Sequence, residues 1–330
     1  MASATVHESE GQIRDQLLDR RQRLQTVIAD APDALPLSQL LEEVDATLAR
    51  IELGTFGLCD VCHDPIETGR IHADPLARAC LGCLTATEQR ALERDLDLAG
   101  HVQRSLLPPA ALRVDGWEAG YHYQPAGSAS GDFVDLIPLD SGELVFLIGD
   151  VSGKGLAASL LMTHLHAIVR SLIAVRLPFS ELVERANRIF YESVGGQGYA
   201  TLVCGKANRA GEIELSNAGH CPPLWLRDGA AITLPPTSVP VGLFASAPFP
   251  TMRATLGVGE TLLVYTDGVT ETLDAAGREY GQERLVRAIR GRHTVPIPDL
   301  MSGCLTDLAR FRGDGPRRDD LTLFALRRWL

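Results

Sequence analysis

Apolar positions recur at helical spacing among charged ones in the first part of the chain. Ile13, Leu17 and Leu24 share one face and predict a helix over residues 8–29, and a second apolar series predicts a helix over 37–52. A short proline-containing stretch separates the two helices. The pattern therefore predicts an antiparallel helical hairpin over residues 1–53.

A third helical pattern begins after residue 84. Thr85 and Glu88 have the spacing of a capping box, and the pattern continues to residue 107, where two prolines follow. Beyond it, strand-like runs and Gly-rich turns are interleaved with helical patterns over 156–173, 180–193, 282–290 and 298–311. This arrangement predicts a layered α+β domain rather than a strictly alternating parallel sheet.

The composition narrows the possible partners. The chain has 330 residues, 45% hydrophobic and 22% charged, as in ordinary globular proteins. Its net charge of −11 argues against a nucleic-acid partner held by a broad basic face. No stretch suggests the roughly 20 apolar residues of a membrane span, and the polar N-terminus does not resemble a secretory signal. We therefore expect a cytoplasmic protein without a membrane partner, whose cysteines are reduced or metal-bound.

Four of the seven cysteines form two C-x2-C pairs. Cys59 and Cys62 are separated from Cys80 and Cys83 by 17 residues, which is the spacing of a four-thiolate zinc site. A redox dithiol is the alternative, and a reducing compartment favours zinc. The remaining three cysteines stand in apolar surroundings and are expected to pack as small hydrophobic residues.

Short acidic motifs stand where strand-like runs meet turns. They contain Asp132, Asp150, Asp267 and the pair Asp319 and Asp320. An Asp–Gly pair by itself is commonly a turn former. Several carboxylates at strand ends, however, would repel one another unless cations neutralised them. Because oxygen ligands suit hard ions, the motifs favour a site for Mg²⁺ or Mn²⁺.

The loop after Asp150 permits a second interpretation. Gly153, Gly155 and Ala158 match the dinucleotide-binding fingerprint GxGxxG/A. Asp150 would face a pyrophosphate unfavourably, and no acidic residue ends a second strand about 20 residues further on. The glycines more readily let the backbone bend closely around a cation beside Asp150.

The cysteine segment resembles the zinc finger of the DksA/TraR family. The resemblance rests on residues 54–57, the turn at 66–70, Pro75 and the four cysteines. Proteins of that family insert a coiled-coil tip into RNA polymerase. The helical arms here span only roughly 22–33 Å, which is short for that reach.

Residues 108–330 resemble the metal-dependent PPM protein phosphatases of the SpoIIE/RsbU type. This resemblance implies an αββα sandwich, in which two sheets lie between helix pairs and hold two Mn²⁺ or Mg²⁺ ions at the sheet ends. The matching segments are Q-x-x-L-L-P at 103–108, SGDF-x-D at 130–135, GDVSGKG at 149–155, NAGH-x-PP at 217–223, YTDGVTE at 265–271 and DD-x-T at 319–322.

The resemblance also implies roles for individual residues. Asp150 would bridge both metal ions, and the Val151 carbonyl would bind one of them. Asp267 and Asp319 would hold the other ion, while Asp132 would complete the site directly or through water. A metal-activated water would then attack phosphorus in line, with no covalent enzyme intermediate.

Three further residues receive supporting roles by the same resemblance. Asp135 and Asp320 are expected behind the metal ligands, and Lys154 is a candidate contact to the substrate phosphate. The general acid stays unassigned.

Relatives of this kind dephosphorylate anti-anti-sigma proteins of the STAS type. We therefore expect a protein phosphatase acting on phosphoserine or phosphothreonine of such a regulatory protein, controlled through an N-terminal zinc module. The alternative is a DksA-like regulator that binds RNA polymerase and uses the phosphatase fold as a scaffold. The expected domains are a hairpin (1–53), a four-cysteine zinc finger (54–84), a regulatory helix (85–107) and the phosphatase (108–330).

The helix over 85–107 carries a short heptad stripe. Its members are Leu92, Leu96, Ala99, Gln103 and Leu106. The stripe either packs on the phosphatase domain of the same chain or forms a parallel homodimer. We favour the homodimer, in which the N-terminal module sets the rotation of the helix and the geometry of the metal site.

Overall fold

A computed structural model describes residues 2–30, 35–196, 198–292 and 294–330. The chain divides into two compact units, Met1–Glu93 and Arg94–Leu330. The finer division into four parts, with boundaries near residues 53, 84 and 107, stays a prediction.

Two helices, α1 (Ala2–Asp30) and α2 (Leu35–Glu52), form the hairpin in the smaller unit. Their apolar faces meet, with Leu17 and Val44 buried between them. Because these residues recur every three to four positions, one face of each helix is covered. The predicted hairpin is confirmed, while its turn at residues 31–34 lies outside the described residues.

The segment after the hairpin is short and held by local hydrogen bonds. It contains the helix α3 (Thr68–Ala73) and a 3-10 turn (Leu81–Cys83). The Arg70 side chain donates to the Ala79 carbonyl at 3.0 Å, and the Leu81 N–H donates to the Glu67 carboxylate. These contacts bring the second cysteine pair back toward the first.

The next helix, α4 (Ala86–Leu106), continues across the boundary between the units. It begins with the predicted capping box, in which the Thr85 N–H donates to Glu88 at 2.8 Å and the Glu88 N–H donates to the Thr85 hydroxyl at 3.3 Å. Gln103 of the heptad stripe is buried in the larger unit. That end of the stripe therefore packs on its own unit, and it cannot also face a second chain.

The larger unit contains two antiparallel sheets and five further helices among the described residues. The helices are α5 (Gly155–Ala174), α6 (Phe179–Val194), α7 (Asp267–Thr270), α8 (Gly281–Ile289) and α9 (Ile297–Arg312). The strands are β1 (Ala111–Val114), β2 (Trp117–Gln124), β3 (Asp132–Pro138), β4 (Leu144–Val151), β5 (Ala200–Ala207), β6 (Glu212–Ala218), β7 (Leu224–Arg227), β8 (Ala230–Thr233), β9 (Met252–Thr255), β10 (Thr261–Tyr265) and β11 (Leu321–Arg328).

One sheet has the strand order β1-β2-β11-β10-β7-β8, and the other has the order β3-β4-β5-β6-β9. Side chains alternate between the two faces of each strand. On β4, Phe146 and Ile148 face the other sheet, while Val145 and Leu147 face α5 and α6. The other sheet packs its outer face on α8 and α9. The predicted α+β sandwich of two sheets between helix pairs is confirmed.

The two sheets meet through aromatic residues. Phe146 of one sheet stacks on Phe324 of the other, with ring centroids 5.4 Å apart. A Cβ at Gly205 on the neighbouring strand would collide with the Phe146 ring. Glycine is therefore needed there, because the ring occupies the space above it.

Helix α5 corrects the expectation that no stretch of the chain is long and apolar enough to span a membrane. It has a mean hydropathy of 1.5, so its length and composition would suit a membrane span. One face of the helix instead packs against α6 and the sheet in the core, where Leu165 and Val169 are buried. A core helix with a buried apolar face can therefore have the length and hydropathy of a membrane-spanning helix.

Candidate active site

The strands β3 and β4 bring two carboxylates together. Asp132 and Asp150 are paired in register on these neighbouring strands. Asp150 follows Ile148 by two residues, so its side chain lies on the face directed at the other sheet. The same alternation places Asp132 beside it, two residues before the buried Val134.

The other sheet anchors Asp132. The hydroxyls of Thr322 and Thr266 donate to Oδ2 of Asp132 at 2.6 and 2.9 Å. Thr266 directly follows β10, and Thr322 lies at the beginning of β11. The sequence analysis missed this role of the two threonines, although each stands directly beside an acidic motif.

Asp267 opens α7, directly after Thr266, and lies near the loop that carries Asp319 and Asp320. Gly268 permits this close approach, since a Cβ there would collide with the Asp320 carbonyl and lie 3.5 Å from the Asp319 Cβ. We call Asp132, Asp150, Asp267, Asp319 and Asp320 the acidic site.

Burial and neighbouring negative charge raise the pKa of three carboxylates of the acidic site. Burial and then the charges of Asp267 and Asp319 raise the pKa of Asp150 to about 7. Burial and the charge of Asp150 raise the pKa of Asp132 well above its ordinary value. Burial and Asp319 likewise raise the pKa of Asp267. Such a group of carboxylates favours bound cations, because a cation removes the repulsion.

Gly131 lies close to two oxygen atoms that could bind a cation. A Cβ at this position would stand 2.9 Å from the Val151 carbonyl oxygen and 3.1 Å from Oδ1 of Asp150. Glycine therefore leaves the region in front of two oxygen atoms free of side chain. Together with the neighbouring carboxylates, this donor set fits Mg²⁺ or Mn²⁺.

Lys154 extends from the loop after β4 to the acidic site. Its ammonium donates to Oδ2 of Asp319 at 2.6 Å and to the Arg318 carbonyl at 3.0 Å. The side chain is 67% exposed, so this ion pair stands at the solvent edge of the site. The structure thus brings Lys154 to the acidic site, while its contact with a phosphate stays a prediction.

The Asp320 carboxylate accepts three hydrogen bonds from the loop before β3. Its Oδ1 accepts from the Ala126 N–H at 2.7 Å, and its Oδ2 accepts from the Ser130 hydroxyl at 2.7 Å and the Gly131 N–H at 2.9 Å. The carboxylate therefore ties the loop before β3 to the beginning of β11.

Asp135 lies away from the acidic site. It lies three positions after Asp132 on β3, and because this offset is odd, its side chain points to the opposite face of the sheet. There it is fully buried and accepts from His166 Nε2 at 2.8 Å and Arg170 Nε at 2.7 Å. The expected place behind the metal ligands is therefore wrong. The spacing of His166 and Arg170, one helical turn apart on α5, was the signal for this buried cluster.

The smaller unit contains a second group suited to a metal ion. Cys59, Cys62, Cys80 and Cys83, which we call the cysteine cluster, have sulfur atoms that all lie within 4.8 Å of one another. Backbone N–H groups of Cys62 and Cys80 lower the pKa of Cys59 to about 6, whereas hydrogen bonding with the sulfurs of Cys62 and Cys80 raises the pKa of Cys83 to about 12. Four crowded sulfurs fit a soft tetrahedral cation that stabilises them all as thiolates.

Comparison with known proteins establishes the family. Residues 140–329, more than half of the chain, match the family of stage II sporulation protein E, SpoIIE. The chain belongs to the SpoIIE family. Residues 54–89 match the prokaryotic DksA/TraR C4-type zinc finger. Both resemblances seen in the sequence, to the SpoIIE family and to the DksA/TraR zinc finger, are confirmed.

Individual relatives share the SpoIIE-family domain. Protein IcfG of Synechocystis is 24% identical over 263 residues, which are 71% of this chain and 41% of the relative. Phosphoserine phosphatase RsbU of Bacillus subtilis is 23% identical over 243 residues, 73% of this chain and 72% of the relative. The solved RsbU and RsbW domains of a Mycobacterium tuberculosis protein are 30% identical with a TM-score of 0.59, covering 66% of this chain and 62% of that one. The chain thus spans less than two thirds of two of these relatives.

Proposed function

We propose that this chain is a metal-dependent phosphatase that removes phosphate from phosphoserine or phosphothreonine of a regulatory protein. The observation that carries the proposal is the acidic site. Its carboxylates come from one sheet and from segments that adjoin the other sheet. Burial and neighbouring charge raise the pKa of Asp132 and Asp150, which lie beside the Val151 carbonyl. Membership of the SpoIIE family supports the same activity.

The proposed roles of the individual residues follow the resemblance to the PPM phosphatases. Asp150 would contact two ions and the Val151 carbonyl one of them, while Asp267 and Asp319 would hold the other. Asp132, fixed by two threonine hydroxyls, would complete the site directly or through water. When bound, two Mn²⁺ or Mg²⁺ ions would supply an activated water and neutralise the phosphoryl oxygens.

Lys154 would contribute positive charge where the phosphate enters. Its ammonium is exposed and already pairs with a carboxylate of the site. A phosphate bound there would offer it a second anionic partner. The chain needs no covalent intermediate for this chemistry, because water is the nucleophile.

The proposed substrate is a phosphorylated STAS-type anti-anti-sigma protein in the cytoplasm. The relative from M. tuberculosis has RsbU and RsbW domains in one solved chain, which supports a partner-switching role for the SpoIIE-family domain. The name of the B. subtilis relative specifies a phosphoserine phosphatase. The net charge of −11 supports a protein partner over a nucleic acid.

The cysteine cluster is proposed to bind one structural zinc ion, and the smaller unit to control the phosphatase through α4. Four thiolates would close the coordination shell and leave no position for a reacting water. A homodimer through α4 stays a proposal. Since Gln103 is buried in its own unit, the exposed Leu98 and Val102, one turn apart, are the α4 residues that would face a second chain.

The test is hydrolysis of p-nitrophenyl phosphate and of a serine-phosphorylated STAS protein by the full chain. We expect turnover with Mn²⁺ or Mg²⁺ and none after chelation. Asp267→Asn should retain the phosphorylated partner without cleaving it, whereas the exposed control Asp299→Asn should turn over normally. Hydrolysis that persists in chelator, or that is equal in both variants, contradicts the proposal.

A second candidate function is supported by the match at residues 54–89. In this alternative the smaller unit binds RNA polymerase and the phosphatase fold is a scaffold. The two candidates differ in which variant abolishes the effect of the protein on transcription. Loss with Asp267→Asn supports the phosphatase, and loss only with Cys62→Ser supports polymerase binding.

A further inference from the structure

A cavity of about 790 Å³ lies at the end of the sheet away from the acidic site. It is bounded by the end of α5, the connection from α5 to α6, and the hairpin between β3 and β4. Asp132 begins β3 at the acidic site and Pro138 ends it at the cavity, so the two regions lie roughly 20 Å apart. Cavities of roughly 300–1,000 Å³ commonly bind small molecules. A ligand could therefore bind outside the candidate active site.

The inner wall of the cavity is apolar. Ile137 and Val145 are paired in register on β3 and β4, and both pack toward α5 and α6. Ile137, Leu139 and Leu177 line the cavity and are half-buried, so they still have apolar surface that a ligand could cover. Phe179 of α6 is buried beneath them. This wall favours a ligand with an apolar body, because covering these side chains removes them from water.

Arg170 presents a guanidinium to the same cavity and is held from behind. Its Nε and Nη2 donate to the buried carboxylate of Asp135 at 2.7 and 3.3 Å. The side chain is 52% exposed and lines the cavity. Nη1 makes no hydrogen bond with the described part of the chain, so it is available to a ligand. Because Asp135 already fixes the planar group, little side-chain entropy would be lost when an anion binds.

The acidic side chains of the cavity already have partners. Glu143 pairs with Lys206 at 2.9 Å and accepts from the Ser141 hydroxyl at 2.9 Å. Asp140 pairs with Arg176 at 3.5 Å, and these two side chains are 96% and 83% exposed. So exposed a pair contributes little, and Arg176 can turn to another anion at low cost. The cavity thus offers donors to a ligand more readily than acceptors.

We propose that this cavity binds a small organic anion, such as an aryl or alkyl carboxylate. Its apolar body covers Ile137, Leu139 and Leu177, and its acid group lies within reach of Arg170 and Arg176. The site goes beyond the proposed phosphatase function and does not depend on it, because none of the described residues that line the cavity belongs to the acidic site.

The experiment is calorimetric titration of the full chain with phenylbutyrate, in buffer without Mn²⁺ or Mg²⁺. Leaving out these ions removes a competing place for a carboxylate at the acidic site. We expect one molecule to bind per chain with a dissociation constant of about 0.1 mM, as suits a ligand of this size. Phenylbutylammonium has the same apolar body and the opposite charge. It should bind at least about tenfold more weakly, because its charge would approach two arginines.

Two variants locate the bound molecule. Ser171 lines the cavity on α5, and Ser171→Trp should fill the space and abolish binding. Its control is Ser105→Trp, at an exposed serine of α4 outside the lining, which should bind like the wild type. Arg176→Met should weaken binding about fivefold. Arg188→Met, which removes an exposed arginine of α6 outside the cavity, should leave it unchanged.

Three results overturn the proposal. Absence of saturable phenylbutyrate binding in the millimolar range shows that the cavity holds only water. Equal affinity for the carboxylate and the ammonium shows an apolar site without preference for an anion. Wild-type affinity in a folded Ser171→Trp variant places the ligand elsewhere. If Ser171→Trp does not fold, Arg176→Met decides, and an affinity equal to that of Arg188→Met overturns the assignment.

Discussion

The cysteine cluster and the acidic site are both suited to metal ions, but they are assembled in opposite ways. The four cysteines come from one segment between residues 59 and 83, and local turns bring their sulfurs together. The carboxylates come from residues 132 to 320 and from two sheets. We therefore expect the first group to depend on a bound ion for its stability and the second to depend on a large, independently packed core.

The two sites also differ in what they leave open. Four sulfurs supply a complete tetrahedral shell. The acidic site instead has space beside Gly131 and an exposed lysine at its edge. A complete coordination shell stabilises the fold, whereas an incomplete one leaves a position for water and substrate. We therefore expect metal removal to unfold the cysteine segment but to abolish catalysis at the acidic site.

The largest expected effect is loss of zinc from the cysteine cluster. Cys80→Ser should abolish binding of the single zinc ion, and the local structure of residues 54–84 should be lost with it, since structural zinc contributes about 10 kcal/mol in small domains. Metal analysis and amide exchange measure this, with Cys304→Ser as the control that keeps its zinc. Phosphate-ester turnover should persist, although its rate should change because the smaller unit no longer controls the phosphatase. Complete loss of turnover would break the division between the two sites.

Asp150→Asn should have the next largest effect, this time on catalysis. We expect kcat/KM to fall at least about a thousandfold, equivalent to about 4 kcal/mol. The fold should survive, because Asp150 has a pKa of about 7 in the folded protein and a lower one when unfolded. Its ionisation therefore costs stability above neutral pH, and the metal-free variant should melt at a higher temperature than the wild type at pH 8.

The control for this variant is the exposed Asp299→Asn, which should match the wild type in both rate and melting temperature. Turnover of Asp150→Asn within tenfold of the wild type would remove Asp150 from the metal site. A lower melting temperature of the metal-free variant would show that the carboxylate stabilises the fold.

The buried cluster behind β3 should have an intermediate effect on stability. Burial acts to raise the pKa of Asp135, but the hydrogen bonds from His166 and Arg170 outweigh it and lower the pKa below its ordinary value. The ionised group therefore stabilises the fold above about pH 4, and this contribution disappears as the pH falls through the lowered pKa. Asp135→Asn should cost about 3 kcal/mol at pH 7.

Denaturant unfolding between pH 3 and pH 7 measures this difference, and it should shrink toward pH 3. Asp140→Asn, an exposed residue just after the same strand, should change stability by less than about 0.5 kcal/mol. If Asp135→Asn lowers the free energy of unfolding equally at every pH, the cluster stabilises the fold through packing and not through charge.

The smallest effect is expected from Lys154→Met. An exposed ammonium contributes only about 1 kcal/mol, so KM should rise roughly fivefold with kcat nearly unchanged. The difference should diminish in high salt, because exposed charges are screened. Lys206→Met, which removes the ion pair with Glu143 instead, should leave KM unaltered. An equal KM for both variants would show that Lys154 does not contact the substrate.

Most of the correct predictions of helices and motifs came from local sequence patterns. The helices over 156–173, 180–193, 282–290 and 298–311 agree with α5, α6, α8 and α9 within one residue at each end, because helical periodicity and strong breakers are properties of the local chain. The capping box before α4 and the spacing of the four cysteines are equally local.

Local patterns were insufficient where a side chain has more than one available partner. Asp135 stands in the same motif as Asp132, yet the alternation of β3 sends it to the opposite face, where His166 and Arg170 bind it. The heptad stripe on α4 had the spacing of a dimer seam, yet Gln103 finds both partners on Ser130 of its own unit. Spacing specifies which residues share a face, and it does not specify what covers that face.

The sequence by itself determined the elements, the class of the fold, the cysteine cluster and the identity of the acidic residues, since each is encoded by neighbouring positions or short motifs. Only the tertiary structure decided which carboxylates and hydroxyls meet. The Thr322 hydroxyl, for example, lies 2.6 Å from Oδ2 of Asp132, although the two residues are 190 positions apart along the chain. Side-chain partners at that separation depend on strand order and register. Those are set by the packing of the whole core, which no single segment determines.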